Sequence, residues 1–137
     1  DSGASQNLFA LLFTAPVNGY AFGLDGLVLK TYDGAGWEMA WRAENTIGTN
    51  APHHLFAAAA FDGRISVVGE RGALLQSDPN SDSWRQADVQ IPRLSLNGIA
   101  FGKDGFGLVV GNRGLVLRTE DGGKTWKRLK IGLRRAP

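Results

Sequence analysis

The chain has no cysteine. That excludes a disulfide framework and a thiolate metal site. Its two histidines are adjacent, His53 and His54, and its two tyrosines are Tyr20 and Tyr32. Neighbouring residues on a strand point to opposite faces, so a metal shared by the two histidines is not expected. No apolar run approaches the roughly 20 residues of a membrane-spanning helix. The net charge is only +2 over 137 residues, too small to point to a partner. No aromatic-and-basic module is visible, so nucleic acid is not an expected partner. Six of the 15 Lys and Arg residues fall late, at Lys124, Lys127, Arg128, Lys130, Arg134 and Arg135. A solvated strand edge followed by a basic tail over 132–137 is the simplest reading. A dock for an acidic protein or a lipid surface is the competing one.

What the chain does have is glycine, 19 residues of it, and a recurring pattern. Gly111 to Trp126 reads GNRGLVLRTEDGGKTW. A Gly-x-x-Gly turn leads into an apolar strand, then a tight hairpin at Asp121-Gly122-Gly123, then a return strand begun by Trp126. Glycine accepts positive φ without strain and Asp bonds to its own backbone, which is why these residues suit the hairpin. Gly23 to Trp37 and Gly69 to Trp84 repeat the order: Gly-x-x-Gly, apolar triplet, polar residue, hydroxyl, tryptophan. The three tryptophans lie 47 and 42 residues apart. Upstream of each copy, starting at Leu8, Leu55 and Leu96, an apolar strand, a turn and a second short strand complete the unit.

Four short strands in a period of roughly 40–50 residues predict a β-propeller blade. The fold class is therefore all-β, with three blades at approximately 7–42, 55–87 and 94–131. The third strands are apolar on consecutive positions, as expected of sheets covered on both faces. No helix is predicted; Ala57 to Ala60 aligns with the inner strands, where small residues suit a crowded axis. The small polar start, Asp1 to Gln6, reads as a loose leader. It fits either a removed signal peptide or an arbitrary boundary.

Thr119, Asp121, Gly123, Thr125 and Trp126 match Ser/Thr-x-Asp-x-Gly-x-Thr-Trp, the Asp-box or BNR repeat. With its Gly-x-x-Gly turn and LNGIAF strand, the third unit resembles the repeat of Ycf48-like photosystem II assembly and stability factors. The first unit keeps Thr31, Asp33 and Trp37. The second is degenerate, with Ser77, Ser83 and Trp84. The resemblance implies a non-enzymatic, cofactor-free propeller, exported to a periplasm or lumen, that binds proteins during assembly of a membrane-associated complex. The chain departs from that pattern in blade number. Propellers typically need four to eight blades to close. Either two copies form a six-bladed homodimer, or the chain is a piece of a longer propeller. Association of two copies is the favoured expectation.

In an up-and-down blade the turns alternate between ends. The Asp-box hairpins share one face of the propeller with the turns joining strands one and two. The Gly-x-x-Gly turns and the inter-blade links share the other, and that is the candidate binding face: Asp25, Glu70, Arg71, Asn112 and Arg113, with His53, His54 and Arg93 from the links. Arg71 and Arg113 are equivalent positions that would suit an anionic ligand or acidic patch. The Asp-boxes are expected to be structural, since calcium needs six to eight oxygen ligands and each turn offers one carboxylate. Sialidases also carry Asp-boxes, so a sialidase-like hydrolase or a glycan-binding propeller is the alternative. Such a hydrolase needs a tyrosine nucleophile paired with a carboxylate. Tyr20 on a second strand and Tyr32 inside an Asp-box are poorly placed for that.

Overall fold

A computed structural model describes residues 8–13, 19–23, 27–33, 35–42, 54–77 and 84–129. Among these described residues, twelve strands form three antiparallel four-stranded sheets, each with its strands side by side in chain order. Blade one holds β1 (Leu8–Phe13), β2 (Gly19–Gly23), β3 (Leu27–Thr31) and β4 (Glu38–Arg42). Blade two holds β5 (Leu55–Phe61), β6 (Arg64–Gly69), β7 (Leu74–Ser77) and β8 (Arg85–Gln86). Blade three holds β9 (Leu96–Phe101), β10 (Gly107–Gly111), β11 (Val116–Thr119) and β12 (Lys127–Leu129). Among the described residues the only helical pieces are single 3₁₀ turns, at Glu70–Gly72, Lys103–Gly105 and Asn112–Gly114.

The repeat extends to detail. Each inner strand skips one residue against its neighbour at the same place: between Leu8 and Ala10, between Leu55 and Ala57, and between Leu96 and Gly98. The inner strand β5, with its four alanines, lies against both β1 and β9. Asp62 and Gly63 join β5 to β6 with φ of 51° and 82°, the two left-handed residues that a two-residue hairpin requires.

Alternation of side chains sets two faces per blade, and both are used. In β6, Ile65 to Gly69 are all buried. Ile65, Val67, Leu75 and Trp84 face blade one, where they form a core with Phe22 and Val28. Val68 and Leu74 face blade three and join Leu96, Val109, Leu117 and Trp126. Trp84 and Trp126 thus reach back onto the blade before them. Trp84 meets Tyr20 and Phe22 edge-on, with ring centroids 6.0 and 6.1 Å away. Trp37 lies over Ala21 and Leu29 of its own sheet.

The links are pinned to the Gly-x-x-Gly turns. Gly72 N–H donates to Leu94 O at 2.8 Å, and Asn112 N–H donates to Ser95 O at 2.9 Å. Gly72 has φ of +77°, and a Cβ there would lie 2.8 Å from Pro92 O. Gly72→Ala should therefore cost at least about 1–2 kcal/mol through left-handed strain alone. Urea unfolding would show this as a lowered midpoint with an unchanged slope.

Candidate functional site

The two ends of the blade stack are built differently. At one end sit the Asp-box hairpins. Thr119 Oγ1 donates to Asp121 Oδ1 at 2.8 Å and accepts Gly123 N–H at 3.0 Å. Asp121 Oδ1 also accepts Thr125 N–H at 2.9 Å, and Thr125 Oγ1 donates to Asp121 Oδ2 at 2.6 Å. Thr31 and Asp33 repeat the contact at 3.2 Å, and Asp33 Oδ1 accepts the N–H groups of Ala35 and Gly36, each at 2.9 Å. Every one of these bonds closes the hairpin on itself. Ser77 and Trp84 are buried at the ends of the second hairpin. That hairpin, with Pro79 and Ser83, lies outside the described residues.

The hairpin of blade three also bonds outward. Gly122 N–H donates to Gly105 O at 2.8 Å, so the turn joining strands one and two shares this end, as the strand count predicts. Gln76 Nε2 of blade two donates to Gly123 O at 2.8 Å and to Ser66 Oγ at 3.0 Å. The sequence offered no signal for that clamp: a glutamine in a strand reads as a solvent-facing residue, yet Gln76 is buried.

At the other end sit the Gly-x-x-Gly turns and the links. The turns are matched bond for bond. Gly69 N–H donates to Ala73 O and Gly111 N–H to Leu115 O; Ala73 N–H returns to Glu70 O and Leu115 N–H to Asn112 O. Arg71 and Arg113 occupy the left-handed positions, with φ of 57° and 59°. Both are exposed, as are Arg93 and Asn112. Asn112 Oδ1 accepts from Asn97 Nδ2 at 2.8 Å. Glu70 is engaged in structure: its Oε1 accepts His54 N–H at 2.9 Å and lies 4.0 Å from His54 Nδ1. Gln86 braces the same turn, accepting Leu74 N–H and donating to Gly72 O; it was not singled out from the sequence. Asp25 and His53 lie outside the described residues, as do Lys130, Arg134 and Arg135 of the basic tail.

Arg113 also borders a cleft of about 620 Å³, between the link at Pro92 and Leu94 and the strand end at Arg128 and Leu129. Its floor is apolar, from Leu94, Leu115 and Leu129, and its rim carries two guanidinium groups. Such a site suits an extended segment with apolar and acidic side chains. The tyrosines are elsewhere. Tyr20 stacks on Phe22 and meets Trp84 edge-on, with Lys30 Nζ 5.4 Å from its ring, and Tyr32 lies beneath the same ammonium at 4.8 Å. Among the described residues no group of three or more His, Asp or Glu could hold a metal ion. No helix there is long and apolar enough to cross a membrane.

Stacked four-stranded blades, Asp-box hairpins and tryptophans set between sheets define an Asp-box β-propeller segment. Residues 76–136 match the family described as photosynthesis system II assembly factor YCF48. Two similar solved structures carry that name. One, described as YCF48 bound to D1 peptide, is 21% identical with a TM-score of 0.73 and aligns with 93% of this chain. The other, YCF48 from Cyanidioschyzon merolae, is 25% identical with the same TM-score and coverage. The chain is similar in fold to those two proteins and spans 42% and 41% of their length. The computationally designed Ika4 protein shares the fold at 13% identity, with a TM-score of 0.67 over 96% of this chain and 76% of its own. No curated protein matches.

Burial pushes the Asp121 carboxyl up, but the Thr125 hydroxyl and N–H and the Thr119 hydroxyl outweigh it and hold the group at about 2, below its ordinary 3.8. A carboxyl lowered on folding contributes stability that is complete above its ordinary value and lost as pH falls through the folded one. The urea midpoint should therefore drop between about pH 4 and pH 2. Asp121→Asn should start lower at pH 7 and show a shallower drop over that window.

Proposed function

We propose that this chain is a non-enzymatic protein-binding scaffold. It would assist assembly or stability of a membrane-associated complex from an exported, periplasmic or lumenal location. Its three blades, at approximately 7–42, 55–87 and 94–131, would belong to a closed propeller, completed either by a second copy or by further blades of a longer chain, and its Gly-x-x-Gly face would take an acidic segment of a protein partner.

One observation carries the reading. Arg71 and Arg113 sit exposed at equivalent turns, in a left-handed conformation that costs a non-glycine residue roughly 1–2 kcal/mol. Asp62 and Asp104, at the other left-handed positions, are of a type that tolerates them; arginine is not. A strained, exposed, repeated arginine is a candidate for a binding role. The matched family's description as an assembly factor and the similar YCF48 solved with a D1 peptide lend support. A sialidase-like activity is disfavoured because Tyr20 is committed to the ring cluster between blades.

The test is binding to an array of peptides that vary in acidity. Binding should favour acidic peptides and weaken at least tenfold in Arg71→Glu/Arg113→Glu. Retention of affinity in that double variant would overturn the assignment of the face. Arg113→Gly should weaken binding while changing stability by less than about 1 kcal/mol, since relief of strain and the greater freedom of an unfolded glycine oppose each other. A fluorogenic sialoside should be left unhydrolysed; turnover would reinstate the hydrolase alternative.

A further inference from the structure

The two arginine turns share a backbone but not a charge setting. In each, the residue before the arginine is tied to the residue that precedes the inner strand. Glu70 N–H donates to His54 O at 3.0 Å, and Asn112 N–H donates to Ser95 O at 2.9 Å. Arg71 and Arg113 follow with nearly equal φ, 57° and 59°. The side chains at the paired positions differ in kind. Asn112 and Ser95 are uncharged, whereas Glu70 and His54 are both titratable. Blade two therefore sets a carboxylate beside its arginine where blade three has a neutral amide.

That carboxylate is fixed against the imidazole. Glu70 Oε1 accepts His54 N–H at 2.9 Å, and the same oxygen lies 4.0 Å from His54 Nδ1. The histidine and glutamate side chains are 35% and 25% exposed, so a charge on the ring is only partly screened from the carboxylate. Between about pH 7.5 and about pH 5.5 an imidazole gains a proton while a carboxylate stays ionised. With His54 neutral, the charges of Glu70 and Arg71 offset each other. With His54 protonated, the blade-two turn gains the single positive charge that Asn112-Arg113 has throughout.

The elements packed around the pair bring little charge of their own. β9, which packs on the Glu70 turn, has no ionisable side chain, and neither have β5 and β1. In β6 the ionisable residue is Arg64, paired with Phe61 at the far end of the blade. In β2, which also touches β5, it is Tyr20, held against Phe22 and Trp84. The other charged groups described at this end are Arg71, Arg93, Arg113 and Arg128, with Asp88 in the link, all exposed.

We propose that the His54–Glu70 pair regulates the arginine face by pH. Protonation of His54 offsets Glu70 and strengthens the hold on an acidic segment, while the neutral setting of blade three holds it at either pH. The inference rests on the acidic partner proposed for that face. One added positive charge close to a bound carboxylate changes affinity by roughly threefold or more.

Fluorescence anisotropy of a rhodamine-labelled poly-aspartate peptide, titrated with the 137-residue chain at fixed ionic strength, tests the proposal. Acidification from about pH 7.5 to about pH 5.5 should tighten wild-type binding roughly threefold or more. His54→Gln keeps the backbone bond to Glu70; it should bind as the wild type does at the higher pH and show no response. His54→Lys, charged throughout, should bind at both pH values as the wild type does at the lower one. His53→Gln should respond like the wild type, and Glu70→Gln should exceed it at the higher pH. Without peptide, the backbone amide NMR signals of Glu70 and Arg71 should move over this range in the wild type and hold still in His54→Gln, with Asn112 and Arg113 unmoved in both. A pH response that survives in His54→Gln would overturn the regulation. Equal wild-type affinity at both pH values would also overturn it and leave the acidic partner standing. A peptide bound at neither pH would overturn both.

Discussion

A blade in this chain has two apolar faces and only four short strands with which to hide them. Consecutive burial along β6, from Ile65 to Gly69, is possible only because a neighbour covers each side. The covering group is a tryptophan, the largest apolar side chain available, set at the start of an outer strand and laid on the preceding sheet. Burying a ring of that size removes 150 Å² or more from water, on the order of several kcal/mol at about 25 cal/mol per Å². Stability in such a stack is a sum over neighbouring pairs. The junction, more than the blade, is the unit that holds.

That constraint separates the jobs of the two ends. At the Asp-box end the hairpin carboxylates are spent on their own backbone, and Gln76 and Gly105 tie the hairpin of blade three to its surroundings. Little is left there to greet a ligand. At the Gly-x-x-Gly end the backbone is equally well held, by Leu94, Ser95 and Gln86, but the side chains at the apex point away. A rigid scaffold with outward residues on its turns is the usual arrangement of a recognition surface.

Much of this was legible in the sequence. The repeat of glycine pair, apolar triplet and tryptophan gave the strand order of all three sheets, because a turn residue and a large ring at fixed offsets leave few alternatives. The two ends of the blade followed from counting strands. What escaped was pairwise. Gln76 and Gln86 look like surface residues until the neighbouring backbone is in place. Glu70, read as an exposed candidate, is drawn to His54 across 16 residues of chain. Gly102-Lys103-Asp104-Gly105 folds into the same turn as Gly111-Asn112-Arg113-Gly114, yet it belongs to the Asp-box end. Local sequence specifies the turn, and only the count of strands before it specifies the end on which it lies.

Because Trp84 and Trp126 both reach backward, the junctions have a direction in time as well as in space. A chain made from its N-terminus has blade one available when Trp84 appears, and blade two available when Trp126 appears. Each new ring can be buried as soon as its strand pairs, and the growing end need never display a finished but uncovered tryptophan face. Between these blades the order of synthesis and the order of burial run the same way.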